Sequence, residues 1–120
     1  MTDQVTDIGG TKAFLLAPDG PKLATEQDAV DTIAQLWGQP VALVVIPVER
    51  FAEGMFDLRT TLLGLFTQKF ISYGKKLAVL GDLGEHLATN EPLRAYVRES
   101  NRGKHIWFVK TIEDAAAKLG

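Results

Sequence analysis

A single α/β domain with a mixed sheet, an N-terminal hairpin, a parallel centre and about four helices is predicted by three features of the chain. Its 120 residues are 46% hydrophobic and 23% charged, the balance of an ordinary globular domain able to bury about two thirds of the surface its unfolded form exposes. From residue 25 onward, short apolar runs alternate with segments of helical period, the pattern of parallel strands joined by right-handed crossovers. The run Val41–Ile46 is apolar at every position, as a strand covered on both faces requires.

Residues 1–10, ending in Gly9-Gly10, read as a flexible segment or a short edge. Lys12 to Ala17 reads as a strand, Pro18-Asp19-Gly20 as turn chemistry, and Lys22 to Ala24 as the short return strand of a hairpin. Thr25 with Asp28 forms a capping box that opens a helix, whose apolar face is Ala29, Val30, Ile33, Ala34, Leu36 and Trp37 and whose stop is Gly38. Val41–Ile46 follows as the centre of the sheet.

A connector from Pro47 to Gly54 leads into a long helix from about Asp57 to Tyr73. Leu58, Leu62, Leu65, Phe66, Phe70 and Tyr73 fall at spacings of three and four, which predicts one stripe against the sheet. Leu77–Leu80 is a second central strand, closed by Gly81-Asp82. A helix is expected from near Asn90 to Ser100, with Pro92 tolerated in its first turn, where a missing amide costs nothing. His105–Val109 is the last strand, and Thr111 with Asp114 caps the closing helix. The expected order is ββαβαβαβα, in one domain over residues 1–120.

Composition excludes several functions. Cysteine is absent, which removes disulfides, thiolate catalysis and thiolate metal sites together. The two histidines, His86 and His105, do not make a metal centre alone, so no metal and no cofactor is expected. A formal charge of −2 without a basic tail argues against nucleic acid as a ligand, because phosphate binding needs concentrated positive charge. No apolar run approaches a membrane span, and the first residues lack the basic-then-apolar layout of a secretory signal. A cytoplasmic location is the expectation.

Parallel strands bring the loops after Ile46, Leu80 and Val109 to one carboxyl edge, where α/β domains bind ligands. Glu49, Arg50, Asp57, Arg59, Thr60, Thr61 and Asp82 are therefore the candidate binding surface, centred on the amino end of the long helix, where free amides favour anions or a phosphorylated hydroxyl. Capping by Asp57 and solvation of the charges account for the same residues without a ligand. No catalytic residue is assigned: a threonine nucleophile needs an adjacent oriented base, and neither histidine lies in these loops. Arg98, Arg102, Lys104, Lys75 and Lys76 gather at the opposite edge, where helices end, and are read as complements to exposed carbonyls.

Asp28-Ala29, Phe56-Asp57-Leu58-Arg59-Thr60, Gly64, Gln68-Lys69-Phe70, Tyr73, Leu77-Ala78-Val79 with Gly81-Asp82, and Glu99-Ser100-Asn101-Arg102-Gly103 resemble the bacterial domain-of-unknown-function family 4180 over nearly the whole chain. That family looks to carry Gly-Glu where this chain has Gly64-Leu65. The order of elements is also similar to that of STAS domains, in which a phosphorylatable hydroxyl sits at the start of the second helix. The segment Phe56 to Gly64 looks like a loose version of that site, which implies Thr60 or Thr61 as the phosphorylated residue.

The function expected from these readings is a STAS-like, non-enzymatic protein-binding or regulatory module, partnered by another protein or by a second copy of itself. The alternative is a small-molecule or nucleotide-binding enzyme that uses the same carboxyl edge and has a closed pocket there.

Overall fold

A computed structural model of the chain describes residues 3–57 and 61–119. Five strands form one sheet in the order β1-β2-β3-β4-β5. The antiparallel hairpin pairs β1 (Gln4–Ile8) with β2 (Thr11–Leu15), and β2, β3 (Leu43–Pro47), β4 (Lys76–Leu80) and β5 (Ile106–Val109) run parallel. Because each parallel strand is added on the same side of the last, right-handed crossovers place the connecting helices on one face. Those helices are α1 (Glu26–Ala34), α2 (Leu62–Ser72), the short α3 (Gly84–Thr89) and α4 (Glu91–Arg102), while α5 (Ile112–Leu119) covers the other face.

The period of two along the strands divides the core accordingly. Phe14, Val44, Ile46, Leu77, Val79 and Phe108 pack under the connecting helices. Ala13, Leu43, Val45, Ala78, Trp107 and Val109 pack under α5 with Ala115. Burial on both faces explains why β3 had to be apolar throughout.

The hairpin lies one element earlier than expected. Gly9 and Gly10 have φ of 56° and 84°, the left-handed pair that a two-residue hairpin turn demands, and Ile8 pairs with Thr11 across them. Lys22–Ala24 is not a return strand; Leu23 makes one parallel bridge to Phe51. Three residues between turn signals offer too few ladder bonds to hold a strand, whereas Gly9-Gly10 has a five-residue strand on either side.

Both halves of the Thr25–Asp28 capping box are present, and Thr111 Oγ1 accepts from the Asp114 amide at 3.1 Å. Trp37, expected on the inner face of α1, is 84% exposed, because the helix stops at Ala34 and turns carry the chain away from helical phase. In α2 the buried stripe is Leu63, Phe66, Thr67 and Phe70, whereas Leu65 and Tyr73 face outward; the expected Leu58 lies outside the described residues. Apolar residues on several sides of this helix left its phase undetermined, and packing on α1 and the sheet selected it. Thr67 is tolerated inside because its hydroxyl bonds the Gly64 carbonyl at 3.2 Å and the Tyr96 hydroxyl at 2.5 Å. The helix expected from Asn90 is α4, with the Asn90 side chain accepting from the Leu93 amide. The preceding α3 was not expected, having too little apolar periodicity to signal itself.

At the sheet edge, Asn101 from the last turn of α4 reaches Phe108 of β5. Its amide donates to the Phe108 carbonyl at 3.2 Å, and its oxygen accepts from the Phe108 N–H at 2.7 Å. Those groups point away from β4, so one side chain supplies the ladder bonds that a further strand would make. Lys75, one of the cations expected to complement exposed carbonyls, bonds the Val41 carbonyl at 2.6 Å, and Lys118 bonds the Asn101 carbonyl at 2.8 Å. Among the described residues, no helix is long and apolar enough to cross a membrane.

Candidate functional site

At the carboxyl edge, β3 runs into two 3-10 turns, Val48–Arg50 and Glu53–Phe56. Pro47 opens the first turn, which directs successive side chains to different sides. Glu49 is exposed, whereas Arg50 is only 4% exposed. The Arg50 guanidinium donates from Nε to the Pro21 carbonyl at 2.8 Å and from one Nη to Asp3 and to the Ala17 carbonyl, both at 2.8 Å. It therefore ties the residue preceding β1, the loop after β2 and the first 3-10 turn together. Arg50 belongs to the fold's interior rather than to the exposed edge.

Asp3 completes this lock by accepting from the Ala17 amide at 2.8 Å. Desolvation pushes the Asp3 carboxyl up, but the Ala17 hydrogen bond and the adjacent Arg50 outweigh it and hold the acid below its ordinary value. Gly20 is the matching position: a Cβ there would lie 2.4 Å from the Arg50 Cζ. Sequence reading missed Asp3, although an Asp in an N-terminal edge segment and a Gly in the facing loop were the available signals.

On the α5 side of the edge lies a cavity of about 290 Å3. Leu15, Ala17 and Pro18 from the end of β2 form one wall, Pro47 and Glu49 a second, and Leu80 and Gly81 from the end of β4 a third. Ile112 closes it from α5 and Gln4 from β1. Among the described lining residues, Glu49 is the one ionisable group and Gln4 the other polar side chain. The amide of Leu16 is bonded to Val45, that of Ala17 to Asp3 and that of Gly81 to Val109. Pro18 and Pro47 have none, so among the described residues the ends of β2 and β4 present no free N–H to a ligand, and amides without intrahelical partners remain beside the cavity in the first turn of α5, which Ile112 begins. Gly81 is required where it stands, with φ 139° and a notional Cβ 3.0 Å from Val48 Cγ2.

A second concavity, of about 510 Å3, lies under the helical face and is lined by Glu53, Phe56, Asp57, His86, Asn90 and Glu91, among others. Phe56 packs against the His86 ring at 5.3 Å between centroids, and Asn90 donates to the Phe56 carbonyl at 3.2 Å. The two concavities divide the expected surface: Glu49 lines the first and Asp57 the second. Asp82 is exposed and accepts from the Gly84 amide at 2.7 Å, so it organises the start of α3. Thr61 is exposed and takes φ 59°, ψ 2° at the N-cap of α2, a left-handed conformation that costs a β-branched residue about 1–2 kcal/mol. Arg59 and Thr60 lie outside the described residues. Among the described residues, no cluster of His, Asp or Glu has the makings of a metal site.

The family model described as a domain of unknown function (DUF4180) matches residues 8–119. The chain belongs to that family. No curated protein and no solved structure matches it.

Proposed function

We propose that this chain is a non-catalytic binding module whose working site is the cavity between α5 and the carboxyl ends of β2, β3 and β4, and whose ligand is a small, mostly apolar molecule. The carrying observation is the cavity itself, about 290 Å3 at the edge where parallel sheets bind ligands. Its lining supports binding over catalysis, since among the described lining residues the Glu49 carboxylate has no second titratable side chain with which to exchange a proton. The occupied amides at the ends of β2 and β4 count against a nucleotide whose phosphates would lie there.

The test is a fragment screen read by amide chemical shifts on isotope-labelled protein. Hits are expected to move Ala17, Gly81 and Ile112 together. A screen whose hits leave all three still, or that yields no hits, overturns this reading.

A second reading is favoured by the backbone of Thr61, since strain of this kind gathers at switch segments. Phosphorylation there would add charge four residues after Asp57, which lines the second concavity with Glu53. Such a regulatory, protein-docking role is what the resemblance of element order to STAS domains would imply. Affinity capture with Thr61→Glu and Thr61→Ala proteins tests it: a switch requires different partners, and identical captures reject it.

A further inference from the structure

We propose that the ligand of the α5-side cavity is an organic cation, an apolar body the size of a short alkyl chain or a single ring bearing a primary ammonium that pairs with the Glu49 carboxylate. This rests on the reading of that cavity as a small-molecule site and adds the ligand's chemical class.

The argument runs through the donors and acceptors at the cavity. Leu15, Ala17, Pro18, Pro47, Leu80 and Ile112 supply apolar walls, which suit a hydrocarbon body and make no demand on its polarity. An anionic head would need N–H groups or a cation, and the described ends of β2 and β4 supply neither, which leaves the first-turn amides of α5 beside Ile112 to offer a donor. The amides at the ends of β2 and β4 are bonded to Val45, Asp3 and Val109, and the prolines have none to give.

Arg50 is the guanidinium adjacent in sequence, and it is committed to Asp3, Ala17 and Pro21. Lys22 is not among the lining residues, and its ammonium rests on the backbone carbonyl of Glu49. Among the described lining residues, the charge facing the cavity is the negative one of Glu49, and the Gln4 amide oxygen is a further acceptor at the same cavity. Such a wall repels carboxylates and phosphates and attracts a donor-rich cation. The chain's formal charge of −2 has the same sign.

Three probes with one body and different heads test the assignment: hexylammonium, 1-hexanol and hexanoate, titrated at neutral pH into the full chain while amide shifts are followed. Hexylammonium is expected to move the Ala17, Gly81 and Ile112 resonances and to bind about fivefold more tightly than 1-hexanol, the advantage of one partly solvated ion pair. Hexanoate is expected to bind weakest. Glu49→Gln, at an exposed position that leaves the core intact, is expected to bring hexylammonium to the level of the alcohol, and added salt to narrow the gap in the wild-type protein.

Equal binding of ammonium and alcohol, or an advantage that survives Glu49→Gln, overturns the cation assignment while leaving a small-molecule site standing. Failure of all three probes to move the cavity resonances overturns the assignment together with the reading beneath it.

Discussion

Replacing Arg50 and Gly20 singly and together tests whether a buried guanidinium holds the amino-terminal hairpin to the rest of the domain. Arg50→Ala removes three bonds to Asp3, Ala17 and Pro21. It also leaves Asp3 beside a void, although that acid's side chain keeps 26% of its exposure and draws some solvation. Charge-assisted bonds contribute about 1.5 kcal/mol or more each, and they do not add fully. Allowing for solvent at Asp3, the expected loss is about 3 kcal/mol.

Gly20→Ala alone should also destabilise, by about 1–3 kcal/mol, because its Cβ falls 2.4 Å from the Arg50 Cζ and the guanidinium is pinned on three sides. In the Arg50→Ala background the space is empty, and Gly20 has no left-handed φ to forbid a side chain. There the same substitution should be neutral or stabilise by about 0.5 kcal/mol through the unfolded chain. Urea unfolding followed by far-ultraviolet circular dichroism on all four proteins gives the cycle. A Gly20→Ala cost that is equal in both backgrounds would refute the lock, as would a loss under about 1 kcal/mol for Arg50→Ala.

Three further outcomes follow from the same geometry. Asn101→Ala removes both bonds to Phe108 and should cost about 1–2 kcal/mol, with hydrogen exchange of the Phe108 amide accelerating well beyond that of its neighbours; an unchanged exchange rate would show that the Asn101 amide does not protect the edge. Gly81→Ala should cost about 2 kcal/mol, since φ 139° and the contact with Val48 Cγ2 both oppose a side chain, and a wild-type melting temperature would contradict this. Asp28 is held below the ordinary carboxylate value by the Ala24 amide, with burial opposing and Thr25 reinforcing. Its stabilisation is therefore complete above the unfolded value near 3.8 and lost as pH falls through the lower folded value. Asp28→Ala should destabilise by about 1 kcal/mol at neutral pH, and the gap from wild type should close in acid; a gap constant down to about pH 2 would refute the linkage.

Local chemistry made the caps legible. Thr25 with Asp28, Asn90, and Thr111 with Asp114 act through bonds within one turn, so three or four residues carry their whole signal. The parallel centre was legible for a similar reason, because strands buried on both faces need unbroken apolar runs. The carboxyl edge followed from the direction of the strands alone. Glu49 and Asp57 were placed at that edge, yet nothing in their spacing said that they line different concavities.

The chain by itself determined the class of fold, the alternation of parallel strands and helices along the sequence, and the positions of most helix starts. Tertiary structure decided which side of each element faces inward: Trp37 out at 84% and Arg50 in at 4%, Leu63 rather than Leu65 in α2, and Gly9-Gly10 rather than Pro18-Asp19-Gly20 as the hairpin turn. Propensity, capping and periodicity act over a few residues and can be read along the chain. The facing of a side chain is set by partners far off in sequence, as Asp3 and Arg50 are 47 residues apart, and only the folded packing brings those partners together.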